Sequence, residues 1–209
     1  MNTARNVGFK YEDYKIQEEI NTLNYYKEKK LEIIKEGAEE FCLNENNSFI
    51  IEQIKDVINE EAPISKRQLC KRILTAWNIS RLGTRIDRRF EELFIMSKIK
   101  TTMSNDTKFF WRDDQEPIKY DIYRIIGDTG IRRTLDDISP QEISNAIKFI
   151  LKAQISLIKG ELTREVAKTF GFVKVNGTIE KAVKNGIEEA ERKNYISVAE
   201  DGERIVVGE

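Results

Sequence analysis

The chain repeats its own apolar pattern at an interval of 93 residues. Ile54, Val57, Ile58, Leu69, Ile73, Trp77, Ile79, Ile86, Phe90 and Phe94 find counterparts in Ile147, Ile150, Leu151, Leu162, Val166, Phe170, Phe172, Ile179, Val183 and Ile187. A register held over about 40 residues constrains the fold: one structural unit is built twice, and its core positions are those that match.

Each copy divides into the same pieces. In the first, Phe49, Ile50, Ile54, Val57 and Ile58 form the apolar face of a helix. Pro63 forces Ala62–Ile64 into an extended piece. Ser65 followed by Gln68 opens a second helix as a capping box. Trp77–Leu82 is a turn, and Ile86, Phe90, Leu93 and Phe94 line a third helix. Ile99–Met103 and Lys108–Trp111 form a hairpin around Ser104-Asn105-Asp106. In the second copy Ser139 with Pro140 starts the first helix, and Gly171 sits where a helix end requires positive φ. The third helix is expected to be about one turn longer than in copy one. Glu200-Asp201-Gly202-Glu203 turns the hairpin between Tyr195–Val198 and Arg204–Val207. Helix, short helix, turn, long helix and hairpin is the layout of a winged helix.

The 48 residues ahead of copy one read differently. Ile16, Ile20, Leu23, Leu31, Ile34, Ala38 and Phe41 recur at helical spacing among Lys and Glu, with no proline. This predicts one long amphipathic helix, or two joined near Tyr25-Tyr26, whose apolar stripe docks on the following domain, on a partner chain or on a larger parent protein. The expected fold is mainly α: a long N-terminal helix followed by two tandem winged-helix units. The expected segments are 1–48 helical, 49–112 unit 1, 113–138 linker and 139–209 unit 2. The linker is too rich in Tyr120, Ile122, Tyr123, Ile125 and Ile126 to run free, and is expected to dock on a core.

Composition removes whole classes of chemistry. The chain has no histidine, which excludes Ser-His-Asp and Cys-His catalysis and His-ligated zinc. Cys42 and Cys70 are too few for a disulfide framework or a four-thiolate metal site, and both read as bland buried thiols. Asp113-Asp114 and Asp136-Asp137 lack a third ligand at fixed spacing, and Asp136-Asp137 suits the positive end of the next helix. No catalytic residue, cofactor or metal site is expected. There is no signal-like apolar core at the N-terminus and no run of roughly 18 apolar residues. A cytoplasmic protein with no membrane contact is the expectation.

The net charge is −1, so a nucleic-acid footprint has to be local. Between Ser65 and Lys100 ten basic residues stand against three acidic ones. With Ile86, Phe90 and Leu93 turned inward, Arg85 and Arg88 point nearly opposite and Arg89 lies on the flank. Arg81 precedes the helix, and Lys98 and Lys100 open the hairpin. Helix–turn–helix proteins place such a helix in the major groove with cations on phosphates. Between Lys159 and Asn194 eight bases meet six acids, so Lys174, Lys181 and Lys184 make a weaker surface. The aromatic run Phe109-Phe110-Trp111 is read as packing, with Phe109 and Trp111 closing the core and Phe110 covering the linker.

The strings WNISRLGTRI, TLDDISPQEISNAI and FGFVKVNGTI resemble the C-terminal region of large bacterial superfamily 1 helicase-like proteins. These often also carry a very-short-patch-repair-like nuclease domain and a small C-terminal domain of unknown function. An aromatic-turn-basic-Gly-Ile pattern follows the second helix of each unit. Copy one supplies Trp77, Arg81, Gly83, Arg85 and Ile86. Copy two supplies Phe170, Gly171, Lys174, Gly177 and Ile179, with Thr178 where the family favours Arg. The chain has no GxxxxGK[ST] loop and no nuclease constellation, so those activities do not carry over. The resemblance implies an accessory role: a nucleic-acid or partner-docking module attached to, or excised from, such a machine. Together with the basic third helix, the expected function is a non-catalytic duplex-DNA-binding accessory module associated with a helicase or nuclease system. The competing expectation is a protein-interaction or homodimerisation module acting through the N-terminal helix and copy two.

Overall fold

The computed structural model describes residues 24–34, 36–127 and 131–208. About 52% of the described residues are helical. Unit 1 holds α1 (Ala38–Phe41), α2 (Asn47–Glu61), β2 (Ile64–Ser65), α3 (Lys66–Ala76), α4 (Thr84–Ser97), β3 (Thr101–Ser104) and β4 (Thr107–Phe110). Unit 2 holds α5 (Pro140–Gln154), β6 (Ser156–Ile158), α6 (Lys159–Thr169), α7 (Gly177–Arg192), β7 (Ile196–Val198) and β8 (Arg204–Val207). The starts of α2, α3 and α4 lie 93 residues ahead of those of α5, α6 and α7. Each unit closes with a three-stranded antiparallel sheet, ordered β2-β4-β3 and β6-β8-β7. The third helix of unit 2 is two residues longer than that of unit 1, not a full turn.

Local chemistry explains the boundaries. Ser65 Oγ accepts the Gln68 amide and Ser139 Oγ the Glu142 amide, at 3.1 and 3.2 Å. Both are N-caps that satisfy a free amide of the first turn. Asn78 and Gly171, 93 residues apart, take the left-handed backbone after the second helix of each unit. Glycine takes this conformation without strain, and a side chain at Gly171 would have to displace the tip of Ile126 of the linker. The turn from first helix to short strand is made differently in the two units. Unit 1 uses a cis Ala62–Pro63 bond, while unit 2 holds the β-branched Ile155 at φ 65, a costly conformation for such a residue.

Trp77 and Phe170 occupy corresponding core sites and are 1% and 2% exposed. The Trp77 ring meets Phe41 edge-on at 5.3 Å, and its indole N–H donates to buried Gln53 Oε1 at 2.8 Å. Phe49 is the exception on the first helix: it is half exposed and borders the Trp77 ring at 6.1 Å. The aromatic run at the end of β4 is wholly buried, which corrects its expected division. Phe110 enters the core of unit 1, and Trp111 stands edge-on to Tyr120 of the linker at 5.2 Å.

The long N-terminal helix is not present among the described residues, and its upstream half, residues 1–23, lies outside them. Asn24–Tyr25 form β1, paired in parallel with β5 (Arg124–Ile125). Residues 26–34 run without regular structure. Their amides bond outward: Tyr26 N to Ile125 O at 2.9 Å, Lys29 N to Glu61 Oε1 at 2.9 Å and Ile34 N to Ala76 O at 2.6 Å. Helix propensity is a weak preference that such tertiary partners override. Among the described residues of the apolar stripe, Leu31, Ile34 and Ala38 are half-buried against unit 1, and Phe41 lies inside its core. Unit 1 therefore draws core residues from ahead of position 48.

The linker is packed by a polar cluster. Glu142, fully buried on the first turn of α5, accepts two arginines. Arg124 donates from Nε at 3.0 Å and Nη2 at 2.8 Å; Arg133 donates from Nη1 at 2.6 Å and Nη2 at 3.1 Å. Arg124 also donates to the carbonyls of Glu61 and Pro63, each at 2.8 Å. It thereby caps the C-terminus of α2, where carbonyls lack helical partners. Tyr26 lies under both guanidinium groups, 4.4 Å from Arg133 and 5.4 Å from Arg124. Its hydroxyl donates to Glu61, which Arg72 binds at 2.9 Å. One connected group of buried charges thus joins unit 1, the linker, the N-terminal segment and unit 2.

Burial alone would raise the Glu142 carboxyl. The fields of Arg124 and Arg133 and their hydrogen bonds outweigh it, and the pKa falls to about 2 from an ordinary 4.5. A carboxyl whose folded pKa is depressed contributes stability above its unfolded pKa, and that stability is lost as pH falls toward the folded value. Glu142 should therefore remove on the order of 3 kcal/mol between about pH 5 and pH 2. Urea unfolding across that range checks this, and Glu142→Gln should flatten the acid limb. Replacing Trp77 by Ala should cost roughly 3–5 kcal/mol. A loss under about 1 kcal/mol in the same measurement would show that the indole is not core.

Candidate nucleic-acid interface

The candidate surface is built on α4. Gly83 N-caps the helix, so its N-terminal half projects from the turn 77–83. Ile86, Phe90, Leu93 and Phe94 point into the core. Thr84, Arg85 and Arg88 are exposed on the other side, and Arg81 is exposed in the turn before it. Three of the sequence-derived residues, Arg81, Arg85 and Arg88, therefore fall together on one face.

Arg89 does not join them. It is 6% exposed and points inward, donating to the Leu43 carbonyl at 2.9 Å and to Asn47, with Glu92 at 3.5 Å. Its task is to hold the 41–47 segment, which the pattern of α4 alone does not reveal. Lys100 is also withdrawn: its ammonium donates to the carbonyls of Asp113 and Gln115 at 3.1 and 2.6 Å. Lys98 is exposed at the left-handed C-cap of α4.

Part of the basic excess counted along unit 1 is met by acids from outside that stretch, and Lys66 is met by acids within it. Lys66 binds Asp87 at 2.5 Å and Glu91 at 2.7 Å. Arg67 binds Asp136 and Asp137 of the linker at 3.1 and 2.5 Å. Arg72 binds Glu61 and Glu28, and exposed Arg85 meets Glu39 at 2.8 Å. The hydrogen bond from Arg85 lowers the Glu39 pKa. Between Ser65 and Lys100, Lys71, Arg81, Arg88 and Lys98 keep an exposed charge with no acidic partner among the described residues. Asp136-Asp137, read as helix-dipole acids, serve unit 1 instead. Asp137 accepts from Ser65 Oγ at 2.6 Å, Gln68 Nε2 at 2.8 Å and Thr134 Oγ1 at 2.7 Å, besides Arg67. Burial opposes its ionisation, but those donors hold its pKa below the usual carboxylate value.

In unit 2 the outer residues Thr178, Lys181 and Lys184 of the corresponding helix are exposed. The hairpin of unit 1 lies against the N-terminal half of α7, with Asn105 Nδ2 donating to Asn185 Oδ1 at 3.0 Å. Between them lies a cleft of about 370 Å³ bordered by Asp106, Asp136, Thr178 and Lys181. Lys181 faces that cleft and Lys184 sits 3.9 Å from Glu188. Lys174 is exposed in the turn before α7. Unit 2 thus presents a more mixed surface than unit 1, with Asp106, Asp136 and Glu188 close to its exposed lysines.

A family described as "Protein of unknown function (DUF3320)" matches residues 39–88. The matched stretch runs from α1 through α2 and α3 to the first turn of α4, about a quarter of the chain. It holds Arg81, Arg85 and Arg88. No curated protein matches the chain. Among the described residues no group of three or more Cys, Asp or Glu side chains could hold a metal ion. No helix among them is long and apolar enough to cross a membrane. Cys42 and Cys70 are free thiols, and burial pushes Cys70 up to about 12.

The two adjacent arginines should separate cleanly. Arg89→Ala should lower stability by roughly 2–4 kcal/mol, since it strips buried carbonyls of their donor. Arg88→Ala should stay within about 0.5 kcal/mol. Thermal melts of the two variants decide this, and equal losses would contradict the assignment of Arg88 to the surface.

Proposed function

We propose that each unit is a winged helix and that unit 1 binds duplex DNA as a non-catalytic accessory module. The observation that carries the reading is the exposed set Arg81, Arg85 and Arg88 around the N-terminal half of α4, with Lys71 beside it. A helix of this kind fits the major groove by its N-terminal residues. The planar guanidinium grips a phosphate or a guanine edge in two places. Arg85 is held by one fully exposed carboxylate, an ion pair of small worth that phosphate displaces. Affinity comes mainly from counterion release and falls steeply with salt. Unit 2 acts as the support that fixes unit 1. Association with a helicase or nuclease rests on the sequence resemblance alone, and a cytoplasmic location suits the two free thiols.

A protein-assembly reading has one observation in its favour. Ile95 and Met96, at the C-terminal end of α4, and Met103 in β3 are 75%, 50% and 61% exposed. The same experiment tests both readings. Duplex binding should be measured over a salt series for the parent and for Arg85→Glu/Arg88→Glu. The double variant should lose binding with its melting temperature unchanged. Each phosphate contact removed should lower the salt slope by about one unit. Lys181→Glu/Lys184→Glu should matter less. A parent that fails to bind at low salt, or a double variant that binds like the parent, transfers the case to assembly.

A further inference from the structure

The contact between the two units leaves a matching surface unused on each of them. Within the chain the hairpin tip of unit 1 lies beside the N-terminal half of α7. Asn105 Nδ2 donates there to Asn185 Oδ1 at 3.0 Å, and Asp106 borders the same cleft as Thr178 and Lys181. At the 93-residue interval Thr178 and Lys181 correspond to Arg85 and Arg88 of α4. Both arginines are exposed, and among the described residues no hairpin side chain pairs with them. The hairpin of unit 2 is free in turn. Its turn, residues 199–203, has five residues against two in unit 1, and Glu200, Asp201 and Glu203 are exposed on it. Asp201 accepts the amides of Glu203 and Arg204, each at 2.9 Å, and sits 3.7 Å from the Arg204 guanidinium, so it serves the turn itself. Glu200 and Glu203 have no basic partner among the described residues.

We propose that these two surfaces meet between copies: the hairpin of unit 2 in one chain seats on the N-terminal half of α4 in a second, with Glu200 and Glu203 on Arg85 and Arg88. The seat repeats, between chains, a contact that the two units already make within one. It adds charge complementarity, because two unpaired carboxylates meet two guanidinium groups, each able to hold a carboxylate in two places. Asn185 corresponds to Glu92, so the carboxylates meet α4 one and two turns nearer its start, where the helix dipole also favours them. Arg85 gives up Glu39 in the exchange, an exposed ion pair of small worth. Each chain offers one such hairpin and one such helix. The contact is therefore heterologous and joins copies head to tail, as an open row or a closed ring. Held by exposed charges, it weakens as salt rises. The inference does not rest on the duplex-binding reading, although it uses the same arginines.

The test is sedimentation velocity of the full chain over a wide range of concentration, with no DNA present, so its outcome is separate from that of the duplex-binding reading. At low salt the sedimentation coefficient should rise with concentration, and at high salt it should return to that of a single chain. Glu200→Lys/Glu203→Lys and Arg85→Glu/Arg88→Glu should each weaken self-association at least tenfold, with melting temperatures unchanged. Joining both pairs of substitutions in one chain should restore association, which a variant that had merely lost its fold could not do. A parent that stays single at every concentration in low salt overturns the proposal, and so does a four-substitution chain that stays single. Association that survives both reversals also overturns it, and moves the contact to exposed Ile95, Met96 and Met103.

Discussion

Glu142 is the charge around which the molecule is assembled. A carboxylate at zero exposure is tolerable only with partners that replace water on every lone pair. Arg124 and Arg133 do so, and each binds something further. Arg124 reaches the end of α2 in unit 1, and Arg133 the backbone of Arg124. Tyr26 then brings the N-terminal segment under both guanidinium groups and passes its hydroxyl to Glu61. Two units that resemble each other, and that each have an apolar core, are joined through a polar one. Geometry is demanded here in a way that an apolar contact does not demand, because a misplaced arginine would leave a buried charge unpaired.

The repeat is the part of the fold that could be read without coordinates, and the reason is physical. Core positions such as Trp77/Phe170 and Leu69/Leu162 tolerate only apolar side chains of suitable size, so a repeated unit keeps their register. Caps were legible for a similar reason: Ser65 and Ser139 do local work that depends on three neighbouring residues. Residues 26–34 depart from the helix that their spacing predicts, because apolar spacing records burial and not backbone conformation. The amides of Tyr26, Lys29 and Ile34 found partners in Ile125, Glu61 and Ala76, all far away in sequence. No window of sequence contains those contacts.

The candidate site was legible in part, and the missing part has the same origin. Helical spacing alone assigned Arg85 and Arg88 to the outer side of α4. It did not foresee that Arg89 turns inward to hold Leu43 and Asn47, or that Asp136, Asp137, Glu61 and Glu39 answer the excess of bases on unit 1. A charge tally along a segment measures a surface only where every charge remains on that surface. The cleft between α7 and the hairpin of unit 1 was equally out of reach, since it depends on how the two copies pack. The candidate surface that remains is smaller than the tally implied and confined to one unit.

If the buried cluster makes one body of the two units, they cannot unfold separately. Scanning calorimetry of the full chain near neutral pH addresses this most directly. One transition should be seen, with its calorimetric and van't Hoff enthalpies equal. Two resolved transitions, or a van't Hoff enthalpy well below the calorimetric one, would mean that each unit stands on its own core and that Glu142 joins them only loosely.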